Sequence, residues 1–117
     1  MKRVPMILAG LVGAFAGQAQ AALDNAAAEA MMKKDGCAAC HSVDRRIVGP
    51  AFVDVAARYR GDRNAAAKLA RKVKEGGSGV WGPIMMPPNS PVATEDIAAL
   101  VTWILSLRKP PSANPAK

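Results

Sequence analysis

The sequence predicts a small all-α domain, four or so helices wrapped around a large apolar group that the chain does not itself supply. Three observations carry this expectation. Apolar residues recur at helical spacing in several stretches and nowhere alternate at the period of a strand. Hydrophobic residues make up 50% of the 117 residues but aromatics only 4%, and much of the apolar count is Ala, so the core looks underfilled. Both cysteines and the only histidine fall within five consecutive positions, 37–41.

The chain opens with a basic pair, Lys2 and Arg3, then an apolar stretch from Met6 to Phe15, then Ala19-Gln20-Ala21. This is the pattern of an export signal cleaved after Ala21, which leaves residues 22–117 with a net charge of +5. No apolar run reaches the roughly 18 residues needed to span a bilayer, so no stable membrane insertion is expected. A first helix is expected from Asp24 to Lys34, with Ala27, Ala30 and Met31 on its packing face. A short one follows Pro50, with Phe52, Val55, Ala56 and Tyr59 at helical spacing. Ala66, Leu69, Ala70 and Val73 mark another, from Arg63 to Lys74.

Residues 76–93 hold four Gly and four Pro and show no periodicity, and no strand is expected. Loops longer than about 12 to 15 residues are usually functional or disordered. Val80, Trp81, Ile84, Met85 and Met86 are too apolar for a solvated linker, so this one should cover something. The last helix carries Ile97, Leu100, Val101, Ile104 and Leu105 on one face, with Thr94 as its expected N-cap and Glu95 and Asp96 in its first turn. Arg108 and Lys109 would close it against the helix dipole before Pro110-Pro111. This helix is the natural partner of the first. The domain should span 22–109, and the Pro-rich residues 110–117 should be a disordered tail.

The chemistry is concentrated in Cys37-Ala38-Ala39-Cys40-His41. On a helical turn, positions i, i+3 and i+4 share a face. Two thiols there can add to the two vinyl groups of one haem while the adjacent imidazole reaches the iron. An exported chain suits this attachment. The rival is a disulfide or a redox C-x-x-C pair, but a thioredoxin-type site needs βαβ units that the pattern lacks. Structural zinc wants four N or S ligands and only three are present. For the second axial position the apolar loop offers methionine. Met86 precedes Pro87-Pro88, which forces it into extended backbone and makes a stiff strut behind it. Met31 and Met32 are compositional rivals inside a helical pattern, where Met more often fills the core.

Five segments recur together in order: Gly36-Cys37-Ala38-Ala39-Cys40-His41, Val48-Gly49-Pro50-Ala51-Phe52 with Asp54-Val55-Ala56, Gly79-Val80-Trp81-Gly82-Pro83-Ile84, Met86-Pro87-Pro88-Asn89, and Trp103. In these the chain resembles the small class I monohaem cytochromes c of the bacterial c-551/c-552 type. The resemblance implies a cytochrome c fold around one covalent haem c. It also implies that the Pro50 carbonyl accepts from His41 Nδ1, that Asn89 donates to the Met86 sulfur, and that the Trp81 indole points at a haem propionate. From pattern alone Trp81 fits a core residue with a satisfied N–H equally well. Met85 departs from the pattern by standing where this family commonly has proline.

The expected function is therefore one-electron transfer in the periplasm between respiratory partners, with nitrite reductase, a terminal oxidase and a peroxidase all open, and no catalysis by the protein itself. The alternative is a haem c enzyme or gas sensor with an open sixth site, against which the Met-Pro-Pro strut argues. Redox partners would dock at the exposed haem edge, lined by Ala38, Ala39, Val48, Gly49, Ile84 and Met85, with the protein acting as a monomer. Arg45, Arg46, Lys68, Lys72 and Lys74 would form a basic rim, unless they merely solubilise the surface. Nucleic acid is not an expected partner, because the aromatics are too few to stack bases.

Overall fold

The computed structural model describes residue 13 and residues 22–110. The expected export signal and nearly all of the expected tail lie outside the described residues. The order of elements is α1 (Asn25–Lys34), a 3-10 turn (Cys37–Ala39), α2 (Phe52–Arg58), α3 (Ala65–Glu75), β1 (Gly77–Gly79), β2 (Gly82–Met86) and α4 (Thr94–Ser106). The helices form where apolar residues repeat at helical spacing. α4 is the hub and packs against α1, α2 and α3. Its buried stripe of Ile97, Leu100, Val101, Trp103 and Ile104 meets Phe52 and Val55 of α2, Leu69 of α3 and Met32 of α1 in one core.

α1 starts where Asp24 accepts the Ala27 backbone N–H at 2.7 Å and ends with Lys33 and Lys34 beside its negative pole. Its buried residues are Ala28 and Met32, whereas Ala27 and Ala30 are exposed and Met31 is half-buried. The expected face is thus turned by one residue. A run of alanines favours no side over another and Met31 and Met32 are equal in size, so the sequence does not fix the face; Met32 enters the core and Met31 packs at its edge. α3 likewise buries Ala65 and Leu69 and leaves Ala66 exposed.

Two expectations for α4 are corrected at its ends. Ala93, not Thr94, is the N-cap, and Thr94 is the first helical residue. The helix stops at Ser106, whose hydroxyl donates to the Trp103 carbonyl at 2.6 Å, and Leu107 is already extended. Arg108 and Lys109 therefore lie beyond the helix, and Lys109 instead reaches Asp54 of α2 at 3.1 Å. The absence of strands is corrected as well. β1 and β2 form an antiparallel hairpin pairing Gly77 with Met86 and Gly79 with Gly82. Gly77, Gly79 and Gly82 all have positive φ, and glycine contributes no side-chain alternation. A ribbon held by backbone bonds through such residues leaves no mark in hydrophobic patterning.

Candidate cofactor site

The 3-10 turn Cys37–Ala39 sets the two thiols and the imidazole on one short arc. Cys40 N and His41 N both donate to the Cys37 carbonyl, at 3.1 and 3.0 Å. The chain then folds back on itself, with Val48 N and Gly49 N donating to the Cys40 carbonyl at 3.2 and 2.8 Å. This return brings Pro50 to the histidine, whose Nδ1 lies 2.8 Å from the Pro50 carbonyl. With the proton on Nδ1 donated there, Nε2 carries the lone pair a metal needs. The ring also stacks on Phe52, centroids 5.0 Å apart and planes 16° apart. Gly49 closes the other approach, since a Cβ there would fall within 3.0 Å of three ring atoms. The ring is held by a hydrogen bond, a stack and a close backbone contact at once.

The residues expected to attach, ligate or support the haem, Cys37, Cys40, His41, Pro50, Trp81, Met86 and Asn89, line one cleft. It encloses about 1140 Å³ of atom-free space, part of it open to solvent. Its apolar wall includes Phe52, Val55, Leu69, Val73, Val101 and Ile104 and is continuous with the core. The underfilled core inferred from composition is this cleft. Neither Met31 nor Met32 lines it. Met86 is half-buried in the lining, while Met85, one residue earlier in the same strand, is 68% exposed. Both methionines border the cleft, and Met86 is the more buried of the two.

Cys37 and Cys40 are not joined in a disulfide. Burial, and secondly the negative charge of Asp35, push the Cys37 thiol above its usual range. Reactive C-x-x-C oxidoreductases need the opposite shift. Two thiols, an imidazole with a free Nε2 and a thioether in one apolar cleft fit a covalently attached haem.

Asn89 differs from its implied role. Its amide nitrogen donates to the carbonyls of Val73 and Pro87 at 3.1 and 3.2 Å, so its hydrogens are directed at backbone rather than at the Met86 sulfur. Trp81 is half-buried in the lining, with the Arg58 guanidinium 5.0 Å over its ring and Arg46 donating to its carbonyl at 3.1 Å. Val48, Gly49, Ile84 and Met85 of the expected haem edge line the cleft, and Ala38 and Ala39 are exposed but do not. The expected edge left out Ile47, 52% exposed, and Val80, which was marked only as part of the covering loop; with Val48, Ile84 and Met85 they are the large exposed apolar residues among the described residues. Their signal was available, since both adjoin residues already marked.

The basic rim narrows. Arg46 and Lys72 line the cleft. Lys68 is paired with Asp62 at 2.7 Å, Arg45 lies 3.8 Å from Asp44, and Lys74 is turned inward onto two carbonyls.

The family model described as cytochrome c matches residues 17–108. The chain belongs to the cytochrome c family. A cytochrome c-551 from Allochromatium vinosum is 57% identical over 77 residues, covering 66% of this chain and 82% of that protein. A cytochrome c-551 from Stutzerimonas stutzeri is 48% identical over 108 residues, 92% of this chain and the whole of that protein. The crystal structure of wild-type Nitrosomonas europaea cytochrome c552 matches with a TM-score of 0.66 and 50% identity, covering 68% of this chain and 99% of that one. These similarities place the chain with the bacterial c-551/c-552 type, whose cofactor is one covalently attached haem c and whose work is electron transfer. When bound, haem c supplies an iron that cycles between ferric and ferrous states.

Proposed function

We propose that this cytochrome is a periplasmic one-electron carrier in which Cys37 and Cys40 hold the haem by thioether bonds and His41 and Met86 ligate its iron. The observation that carries the reading is the placement of His41 and Met86 in one apolar cleft, with Nδ1 of the first occupied by Pro50 and Met86 half-buried where Met85, on the rim, is mostly exposed. Two protein ligands leave no position for substrate, so the protein itself makes and breaks no bonds. The apolar lining excludes water, and the fixed imidazole keeps the ligand geometry similar in both oxidation states. Export from the cytoplasm agrees with Lys2, Arg3 and the Ala19-Gln20-Ala21 site. Among the described residues, no helix is long and apolar enough to cross a membrane.

The assignment is tested on the oxidised holoprotein through the weak long-wavelength absorption band that reports a sulfur–iron bond. Met86→Ala should abolish the band and let the reduced protein bind carbon monoxide at neutral pH, while Met85→Ala should leave both as in the wild type. Band loss in Met85→Ala instead would transfer the role to Met85, and carbon monoxide binding by the wild type would mean an open sixth site.

Redox partners dock on the apolar rim of Val48, Ile84 and Met85, with Arg46 and Lys72 steering acidic ones. The second-order rate with an acidic acceptor should fall as the Debye length shrinks from about 30 Å at 0.01 M salt to about 10 Å at 0.1 M. A rate flat over that range would remove the steering role.

A further inference from the structure

Lys74 sits in the last turn of α3, where the helical pattern puts it on the solvated side. Its ammonium is turned the other way. It donates to the Ser90 carbonyl at 2.7 Å and the Val92 carbonyl at 2.8 Å, the second of these partly buried. The segment it grips follows Met86-Pro87-Pro88-Asn89 directly. The same end of α3 holds that strut at other points. Both the backbone and side-chain nitrogens of Asn89 donate to the Val73 carbonyl at 3.1 Å, and Gly76 lies against the backbone of Met86, Pro87 and Pro88. Of the α3 side chains among the described residues, Lys74 alone is hydrogen-bonded to the chain beyond Met86.

We propose that Lys74 is a positioning residue for the iron's sulfur ligand, clamping the far end of the proline strut and so setting how often Met86 leaves the metal. The inference rests on the reading of Met86 as axial ligand. Bonds from an ammonium to carbonyls are charge-assisted and stronger than neutral ones. Two successive prolines fix φ at both positions, so the strut does not absorb movement at Ser90 by bending, and passes it on to Met86. Without the clamp, the arm is left with Asn89 and the hairpin and opens more often.

An exogenous ligand that competes for the iron reads the open fraction, because its apparent dissociation constant is the intrinsic one divided by that fraction. Imidazole titrated into the ferric holoprotein is the probe. Lys74→Met, which keeps the length of the side chain but not its donors, should bind imidazole about tenfold more tightly than the wild type, a difference of about 1.4 kcal/mol. Lys74→Arg, which can reach both carbonyls, should stay within about threefold of the wild type, and Lys68→Met, which removes a charge from the same helix, should not change. Lys74→Gln serves if Lys74→Met does not accumulate, with the same direction expected. A purely structural role would lower the thermal midpoint of the Lys74 variants and leave imidazole affinity well below that midpoint as in the wild type, which overturns the proposal. An equal gain in Lys68→Met would show that charge rather than the clamp is responsible, and also overturns it. Met86→Ala should bind imidazole most tightly of all. If it keeps the long-wavelength band and binds as the wild type does, the reading of Met86 itself falls, an outcome distinct from failure of the clamp.

Discussion

The two ends of the cleft are built in different ways. His41 is held by residues within a short stretch of chain: the Cys37 carbonyl on its backbone, the Pro50 carbonyl on Nδ1, Gly49 against the ring and Phe52 stacked on it. Met86 is held through its backbone and the residues that follow it. Its strand pairs with glycine-rich β1, and its strut leans on Val73, Lys74 and Gly76 at the end of α3. The contacts on the two sides close loops of comparable length, but three of them fall on the His41 ring itself, whereas those on the other side fall on backbone at and after Met86 and leave its thioether unheld. The histidine side is therefore the fixed half of the site and the methionine side the half that yields.

The largest test removes what both halves enclose. Replacing Cys37 and Cys40 together by Ser should leave a chain with no cooperative thermal transition at 25 °C, because the haem completes the core. A haem-free variant with native helix content and a sharp melt would show that the halves stand without it.

Glycine substitutions separate the two sides. Gly76 has φ +71° and ψ −160°, a region open in practice only to glycine, and a Cβ there would meet backbone atoms of Met86, Pro87 and Pro88. Gly76→Ala should cost about 1–3 kcal/mol in strain alone and lower the thermal midpoint by about 5–15 °C. The long-wavelength band should weaken with it. Gly49→Ala pushes on the His41 ring instead, and should disturb the haem spectrum while the long-wavelength band persists. If both variants weaken the band equally, the two sides are one cooperative unit and the contrast fails.

The smallest effect concerns the exposed counterpart of Lys74 on the same helix. A hydrogen bond from Lys68, then the Asn64 backbone N–H, hold the Asp62 carboxyl below its usual range, and Asp62 in turn raises Lys68. A lowered carboxyl stabilises the fold above its ordinary pKa and loses that contribution as pH falls through the lowered value. A raised lysine contributes below its ordinary pKa and loses the contribution as pH rises through the raised one. Both contributions are present in full at neutral pH, but they belong to one exposed pair, and exposed pairs are weak. Lys68→Met should raise the Asp62 pKa, read by NMR titration, with no measurable change in the melt at pH 7. A clear loss of stability there would give α3 a second anchor besides Lys74.

How much of this was legible follows the same division. The histidine side is written in a contiguous motif, so Cys37, Cys40, His41 and Pro50 could be named and found together in one cleft. On the methionine side, the prolines that follow Met86 marked it, and it lines the same cleft. The hairpin was not legible, because glycines at positive φ carry no alternation. Lys74 was read as solvated because helical periodicity places a side chain on a face but does not show what loop later packs over it. The face of α1 was misread because alanine on every side favours none. The Asn89 amide was assigned to sulfur by likeness, and two backbone carbonyls outcompete a weak sulfur acceptor.

Trp103 in α4 donates its indole N–H to Asn25 in α1 at 3.0 Å across 78 residues of sequence, and Asn25 and Leu107 border one crevice. The domain is in effect a ring whose ends meet. Closing a loop of that length costs about 4 kcal/mol of chain entropy by the logarithmic rule. A chain whose ends were covalently joined would not incur that cost. Opened instead at the exposed turn around Gly61, between α2 and α3, such a circular permutant would keep α1 and α4 together and leave both halves of the cleft uncut.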